Sequence, residues 1–287
     1  MDRKENIILV TGARGKQGGA VARELLSKGY RVRAMTRQPQ SEGALALARL
    51  NAEVAYGDFD IPSSLEKVLE GVWGVFSVQD SWEAGVQREE EQGKRLASLA
   101  KKAGVRHFVY TSVGSAHHKT GIPHFNSKWR IEETIRELGF PSFTIIRPVF
   151  FMENFLSPWF KPPINQGKLT IGIRPETRLQ MIAVPDIGKC GSLAFERHEE
   201  MNGRSIDLAG DELSMPETAR ILSGITGTNI VVEPTPIEDV RKFSEDFAVM
   251  LEWFDRVGYS VDIPVLANTF GFRMKTFREW ATSVDWR

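Results

Sequence analysis

Short apolar runs rich in β-branched and aromatic residues recur along the first half of the chain, separated by more polar stretches. Runs of this length and composition are typical of buried strands. Because strands that alternate with helical stretches commonly pair in parallel, the pattern predicts an α/β fold built on a parallel sheet. The runs are NIILV at 6–10, YRVRAM at 30–35, AEVAY at 52–56, GVWGVFSV at 71–78, RHFVYTSV at 106–113 and SFTIIRP at 142–148.

Helical spacing of apolar residues marks two stretches between these runs, residues 19–28 and 89–103. Gly29 and Gly104 follow them, at the position where a glycine commonly ends a helix. A further amphipathic pattern covers residues 240–253. All three stretches are predicted to be helical.

The regular alternation ends after Pro148, where the aromatic and proline-rich segment FFMENFLSPWFKPP begins. The run RSIDLAG at 204–210 has the composition of one more strand, which we expect to return to the sheet. The chain is therefore predicted to divide into a main domain and a smaller C-terminal α+β region. The main domain covers 1–150 with 180–210 returning to it, and the smaller region covers 151–179 and 211–287.

The composition is that of an ordinary globular protein, with 287 residues, 41% hydrophobic and 26% charged. Thirty-seven acidic residues balance thirty-seven basic ones, so no general attraction to nucleic acid or to an anionic membrane is expected. The first apolar run, at 6–10, is too short for a signal-peptide core or a membrane span. Cys190 is the single cysteine and leaves no CxxC pair. We expect a cytoplasmic protein.

A glycine-rich segment, TGARGKQGG at 11–19, joins the first predicted strand to the first predicted helix. In this context one glycine permits a tight turn, one lets the backbone approach a pyrophosphate, and one lets the helix pack on the strand. The helix N-terminus adds free N–H groups. The pattern predicts a Rossmann-type doubly wound sheet that binds a dinucleotide, and a purely structural turn is the alternative. The predicted binding residues are Gly12, Ala13, Arg14, Gly15, Lys16, Gln17 and Gly18.

The end of the second strand indicates which dinucleotide binds. Proteins that select NAD place Asp or Glu there to accept from the ribose 2′-hydroxyl. This chain has Thr36 and Arg37 instead, and Arg14 in the turn is a second guanidinium. A guanidinium binds a 2′-phosphate that a carboxylate would repel. We therefore predict NADP(H) as the cofactor, with a solvated Arg37 as the alternative.

Three further residues follow predicted strands at the edge where the cofactor is expected. Asp58 and Phe59 come after the third strand, where side chains commonly flank the adenine, and an ordinary strand-end loop is the alternative. Gln79 comes after the fourth strand and is expected to line the same crevice.

Several motifs beyond the glycine turn carry a resemblance to a known family. They are TR at 36–37, GDF at 57–59, PHFNSK at 123–128, IIRPVFFMEN at 145–154 and MIAVPDIG at 181–188. With them the chain resembles, over most of its length, the NmrA-like family, an atypical group of the short-chain dehydrogenase/reductase superfamily. The resemblance implies that Lys128 contacts the nicotinamide ribose, and the alternative is a surface pair with Glu132. It also implies that four residues close over the nicotinamide end: Phe151, Met152, Glu153 and Asn154.

The superfamily's usual proton donor is missing from its place in this sequence. That donor is a tyrosine four residues before the lysine, and this chain has His124 there. A neighbouring ammonium favours the neutral imidazole, which makes His124 a poor acid. Catalysis by His124 and Lys128 is one hypothesis, and a pocket-lining His124 is the other. The histidines at 117, 118 and 124 lack a carboxylate at ligand spacing, so no metal site is expected.

Two functions follow from an intact binding turn with a replaced proton donor. The first, which is the main prediction, is a redox sensor, in which NADP(H) binding changes contact with a protein partner through the C-terminal region, and a homodimer is a further expectation. The second is an NADPH-dependent oxidoreductase acting on a quinone or another electron-poor acceptor, which needs less help from a protein acid. Direct nucleic-acid binding is not expected, because the chain has no basic run.

Overall fold

The computed structural model describes residues 5–286 and divides into two compact units. Each unit is assembled from separate stretches of the chain. Within the described residues, the first contains 5–117 together with His124–Arg147 and Ile187–Ile206. The second contains His118–Pro123, Pro148–Asp186 and 207–286. The functional division predicted at residue 150 stays a prediction.

Strands and helices alternate from the first strand to Pro148, as the apolar pattern predicts. In chain order they are β1 (Ile7–Val10), α1 (Lys16–Ser27), β2 (Arg31–Thr36), α2 (Glu42–Arg49), β3 (Glu53–Tyr56), α3 (Pro62–Leu69), β4 (Val72–Ser77), α4 (Ser81–Ala84), α5 (Val86–Lys102), β5 (His107–Thr111), α6 (Pro123–Glu137) and β6 (Ser142–Pro148).

The rest of the chain is less regular and contains shorter strands. Its elements are β7 (Phe150–Phe151), a 3₁₀ helix (Met152–Leu156), α7 (Lys161–Asn165), β8 (Lys168–Ile171), β9 (Leu179–Ile182), α8 (Val184–Glu196), β10 (Ser205–Leu208), β11 (Asp211–Leu213), α9 (Met215–Thr226), β12 (Val231–Pro234), α10 (Ile237–Phe243), α11 (Glu245–Arg256), α12 (Ile263–Phe270) and α13 (Phe277–Thr282). In the second unit, β9 pairs with β7 and β11, and β8 pairs with β12.

A seven-stranded sheet in the order β10-β6-β5-β4-β1-β2-β3 forms the centre of the fold. The pairs β3·β2, β2·β1, β1·β4, β4·β5 and β5·β6 are all parallel. The predicted Rossmann-type parallel sheet is thus confirmed, and β10 returns to it beside β6. Strand order reverses between β1 and β4, which is where folds of this type form a crevice at the carboxyl ends of their strands.

The hydrophobic core of the first unit joins the sheet to α3, α5 and α6. Leu65, Leu96 and Ile131 come from these helices and are fully buried, as are Val75 and Phe108 on the strands. The apolar faces of the helices therefore pack on the sheet and fix the loops that follow its strands.

All three predicted helices differ in detail from the structure. The helix expected at 89–103 is α5, which begins earlier, at Val86, and ends at Lys102. The helix expected at 19–28 begins earlier, at Lys16, with an extended Gly15 as its N-cap residue and with Gly18 and Gly19 inside the helix. The single helix expected at 240–253 is wrong: the chain breaks at Ser244, which separates α10 from α11. The Ser244 hydroxyl accepts from Phe247 N at 3.2 Å and caps the second helix. The apolar period continues through the break, so periodicity alone did not reveal it.

Among the helices formed by residues 5–286, none is both long and apolar enough to cross a membrane.

Candidate functional site

The glycine turn is tied to the neighbouring strand β4 by Thr11. Thr11 Oγ1 accepts from Val78 N at 2.8 Å and donates to Val78 O at 3.0 Å. Gly12 has a φ of +56°, and a Cβ there would lie 2.7 Å from Val78 Cγ1, so both conformation and space favour glycine. Gly15 N then donates to Gly12 O at 2.8 Å and closes the turn.

Gly18 lets α1 begin directly against the turn. A Cβ at this position would lie 2.3 Å from Thr11 O, a distance that backbone cannot accommodate. Gly15 is the N-cap residue of α1, the first turn of the helix contains no acidic residue, and no side chain of the described residues caps it. The helix therefore presents first-turn N–H groups and the positive end of its dipole to an anion.

Two arginines lie at the carboxyl end of β2. Arg14 Nη1 donates to Gln38 Oε1 at 3.0 Å, and Gln38 N donates to Thr36 Oγ1 at 3.0 Å. Arg37 forms an ion pair with Glu83 of α4, and the Glu83 hydrogen bond raises the pKa of the guanidinium above its usual value. The Arg37 side chain is 53% exposed. It is therefore both exposed and paired, and a phosphate that binds it must compete with Glu83.

Gln79 and Ser112, at the same edge of the sheet, each have a buried polar atom without a hydrogen-bond partner among the described residues. Gln79 is 4% exposed; its Nε2 donates to Ser77 Oγ at 3.0 Å. Gln79 Oε1 and the hydroxyl of Ser112 are buried and have no hydrogen-bond partner among residues 5–286. Because an unsatisfied buried polar group is destabilising, such atoms fit a site that a polar ligand completes.

The loop after β3 is held by local hydrogen bonds. Asp58 N donates to Ser64 Oγ at 2.9 Å, and Asp58 Oδ1 accepts from Asp60 N at 2.9 Å. Phe59 packs partly against the hydrophobic core, and its carbonyl accepts from Arg95 Nη1 at 2.7 Å. These contacts account for the shape of the loop. Contact of Asp58 and Phe59 with adenine stays a prediction.

Lys128 on α6 is held by a buried carboxylate of α5. Its Nζ lies 2.6 Å from Glu89 Oε1, and Ser127 Oγ donates to Glu89 Oε2 at 3.0 Å. The alternative pair between Lys128 and Glu132 is wrong. Glu132 instead accepts from Arg147 Nε at 2.8 Å and from Arg147 Nη2 at 2.6 Å. Lys128 is therefore not a solvated residue on a helix surface.

The approach of α5 to α6 explains why Glu89 meets Lys128. At Gly93, one turn after Glu89, a Cβ would lie 2.5 Å from Ile131 Cδ1, so the two helices pack closely there. The buried face of α5 contains Glu89, Gln92, Gly93, Leu96, Ala97 and Ala100. Glu89 was not predicted from the sequence, because a run of acidic residues at 89–91 is normally a solvated face. The sequence signal that indicates burial of Glu89 is its place on the apolar face of the helix.

His124, at the usual tyrosine position, is 6% exposed. Its ring packs against Trp82 of α4 at a centroid distance of 5.8 Å and against Phe125 at 4.8 Å. Trp82 itself is 62% exposed. Catalysis by His124 stays a prediction. Helix α4 adds Trp82 and Glu83 to the candidate site, and neither residue was predicted from the sequence.

Tyr110 on β5 does not replace the missing tyrosine. Its side chain is fully buried, and its hydroxyl has no hydrogen-bond partner among the described residues. Burial raises the pKa of the phenol well above its usual value, and the carboxylates of Glu89, Glu132 and Glu90 raise it further. A phenol enclosed in this way cannot touch a substrate.

The four residues expected near the nicotinamide lie in the second unit. Met152 is fully buried, whereas Phe151 and Asn154 are half-buried. Glu153 Oε1 accepts from Trp280 Nε1 at 2.9 Å, and its Oε2 accepts from Val184 N at 3.0 Å. Glu153 thus links the 3₁₀ helix to α8 and α13. The predicted contact of all four residues with nicotinamide stays a prediction.

The fold and the glycine turn together define a protein of the Rossmann class. Its family follows from a family model, described as the NmrA-like family, that matches residues 4–283. The chain belongs to the NmrA-like family. Among its relatives, the NmrA-like family domain-containing oxidoreductase FrzB of Cladobotryum sp. is 31% identical over 254 residues, which cover 79% of this chain and 76% of FrzB.

Solved structures of the same fold carry different functional descriptions. The NADPH-dependent quinone oxidoreductase QOR2 of Escherichia coli, solved with NADPH, has a TM-score of 0.82 and 21% identity, covering 96% of this chain and 98% of that one. The negative transcriptional regulator NmrA, solved with NAD, has a TM-score of 0.82 and 20% identity, covering 99% of each chain. At these identities the likeness shows the fold alone.

Proposed function

We propose that the chain binds NADP(H) at the carboxyl edge of the first unit's sheet. The observation that carries this proposal is the combination of the glycine turn with the end of β2. The turn offers the uncapped start of α1 for a pyrophosphate, and β2 is followed by Arg37 where an NAD-selecting protein has a carboxylate. Arg14 supplies a second guanidinium nearby. The unpartnered oxygen atoms of Gln79 and Ser112 are consistent with a polar ligand in the same crevice.

We further propose that the protein is a reductase of an electron-poor acceptor such as a quinone. Bound NADPH would supply a hydride. The chain has His124 where the superfamily has its tyrosine, and His124 is almost fully buried. A protein acid therefore contributes little to the proposed reduction. An acceptor that stabilises the added electrons by itself needs little such help. FrzB, a relative named as an oxidoreductase, and QOR2, an NADPH-dependent quinone oxidoreductase of the same fold, support the proposal of a reductase.

A redox sensor is the second candidate, and the ion pair between Arg37 and Glu83 favours it. Binding of a 2′-phosphate at Arg37 would compete with Glu83, and the same short helix places Trp82 against His124. Occupation of the site would therefore change α4, which a protein partner could detect. NmrA, a negative transcriptional regulator of the same fold, supports this candidate. A homodimer and a partner bound through the C-terminal region are hypotheses of the same kind.

One experiment tests both candidates in sequence. NADPH fluorescence is titrated with the purified protein, and menadione is then added while the absorbance of reduced nicotinamide is followed. Saturable binding followed by rapid oxidation is expected for the reductase, with the reaction lacking protein as control. Binding without oxidation by menadione or by other quinones would contradict the reductase and leave the sensor. Absence of saturable NADPH binding would contradict the proposed cofactor itself.

A further inference from the structure

Glu89 is a carboxylate with no exposure to solvent, in the first turn of α5. Removing a charge from water is unfavourable unless a partner neutralises it. Lys128 Nζ lies 2.6 Å from Glu89 Oε1 and provides the neutralising positive charge. The Ser127 hydroxyl donates to the other carboxylate oxygen, Glu89 Oε2, at 3.0 Å. Both oxygens of Glu89 are therefore engaged by side chains of α6.

The charged residues around this pair form ion pairs with other partners. Glu132 is paired with Arg147 at 2.6 Å and with Arg136 at 2.8 Å. On α5, Glu90 is paired with Arg130 at 2.6 Å and with Lys94 at 2.7 Å. Glu89 and Lys128 thus form a pair of their own within this network.

The pair fixes the direction of the Lys128 ammonium. An ammonium carries three N–H donors, and Glu89 accepts one of them. The lysine side chain is only 12% exposed, so its stem is confined as well. Ser127 Oγ also lies 3.0 Å from His124 O, which connects the carboxylate to the first turn of α6. The remaining donors of Lys128 are therefore held in a defined place before any ligand arrives.

We propose that Glu89 is a positioning residue, which holds the Lys128 ammonium ready for the nicotinamide ribose. This inference rests on the proposed NADP(H) binding and on the contact of Lys128 with the nicotinamide ribose that the resemblance to the NmrA-like family implies. Its consequence is local: loss of the Glu89 charge weakens contacts to the nicotinamide half of the cofactor and leaves the adenine half unaffected. A residue that only supported the fold would affect both halves together.

The test compares two probes in the isosteric variant Glu89→Gln. NADPH contains both halves of the cofactor, whereas adenosine 2′,5′-bisphosphate contains only the adenine half with its 2′-phosphate. We expect the Kd for NADPH to rise about tenfold, the size of one lost hydrogen bond to a charged group, and the Kd for the bisphosphate to stay unchanged. Glu91→Gln is the matched control, since Glu91 is an exposed carboxylate of the same helix.

A double-mutant cycle shows whether Glu89 acts through Lys128. Lys128→Met is expected to weaken NADPH binding by a similar factor, and adding Glu89→Gln to it is expected to change the Kd no further. An additional loss in the double variant would overturn the proposal. Equal weakening of both probes by Glu89→Gln, or no weakening of either, would overturn it too.

A second variant keeps the test decisive if Glu89→Gln does not fold. Glu89→Asp retains the charge but moves the carboxylate away from Lys128 by one methylene, so a selective loss of NADPH affinity is again expected. An unchanged NADPH affinity would contradict the positioning role. Wild-type protein that binds the bisphosphate and NADPH establishes the cofactor site separately. If wild-type protein binds neither probe, the proposed function fails before this inference is tested.

Discussion

Two cations of the candidate site are each paired with a carboxylate, but in opposite surroundings. Arg37 and Glu83 are 53% and 58% exposed in their side chains. Lys128 and Glu89 are 12% and 0% exposed. Exposed pairs are screened by water and contribute about 0–1 kcal/mol, whereas breaking a buried pair costs about 3–5 kcal/mol. The first pair can therefore exchange partners, while the second is fixed.

If the chain binds NADP(H) as proposed, this difference would separate two tasks in cofactor binding. A guanidinium held loosely at the surface can leave its carboxylate for a phosphate at little cost. An ammonium held in a buried network cannot leave, and so it is useful only where its present position already suits the ligand.

The largest effect is expected for protein stability. Lys128→Met leaves the Glu89 carboxylate buried without its cation, so the free energy of unfolding should fall by about 3 kcal/mol. Arg37→Met breaks an exposed pair and should change it by less than about 1 kcal/mol. Urea denaturation followed by circular dichroism measures both. Equal losses of unfolding free energy in the two variants would show that the two ion pairs do not differ in stability as their exposure indicates.

The fold was largely predictable from the sequence, because alternating apolar runs and glycines are local signals. Strand β10 was correctly expected at the sheet from its composition alone. The break at Ser244 was missed because the apolar period of α10 continues into α11, and only the capping by Ser244 reveals where one helix ends. A local pattern that stays in register hides such a break.

The candidate site also has a part that local sequence signals predict and a part that depends on tertiary structure. The glycine turn and Arg37 could be predicted because their positions after β1 and β2 are set by neighbouring residues. The partners of the two cations could not, because Glu83 and Glu89 lie 46 and 39 residues from Arg37 and Lys128 in the sequence. Only the packing of α5 on α6 brings Glu89 inward. Charge pairing across such distances depends on tertiary structure.

The second effect concerns choice of cofactor at the exposed pair. Arg37→Gln removes the guanidinium proposed to bind the 2′-phosphate, so the Kd for NADPH should rise about tenfold. The Kd for NADH should change little, since NADH has no 2′-phosphate. Fluorescence titration with both nucleotides gives the ratio. A parallel rise in both Kd values would place Arg37 outside the 2′-phosphate site.

The smallest effect is expected where Glu83 competes for Arg37. Glu83→Gln leaves the guanidinium without its competing carboxylate, so NADPH should bind about two- to threefold more tightly at low salt, the size of an exposed pair. The gain should disappear near 1 M salt, where the Debye length is about 3 Å. Glu66→Gln is the matched control, because Glu66 forms an exposed pair with Lys102 on α5. Weaker NADPH binding in Glu83→Gln would mean that Glu83 orders Arg37 for the phosphate, and the exposed pair would then resemble the buried one in function.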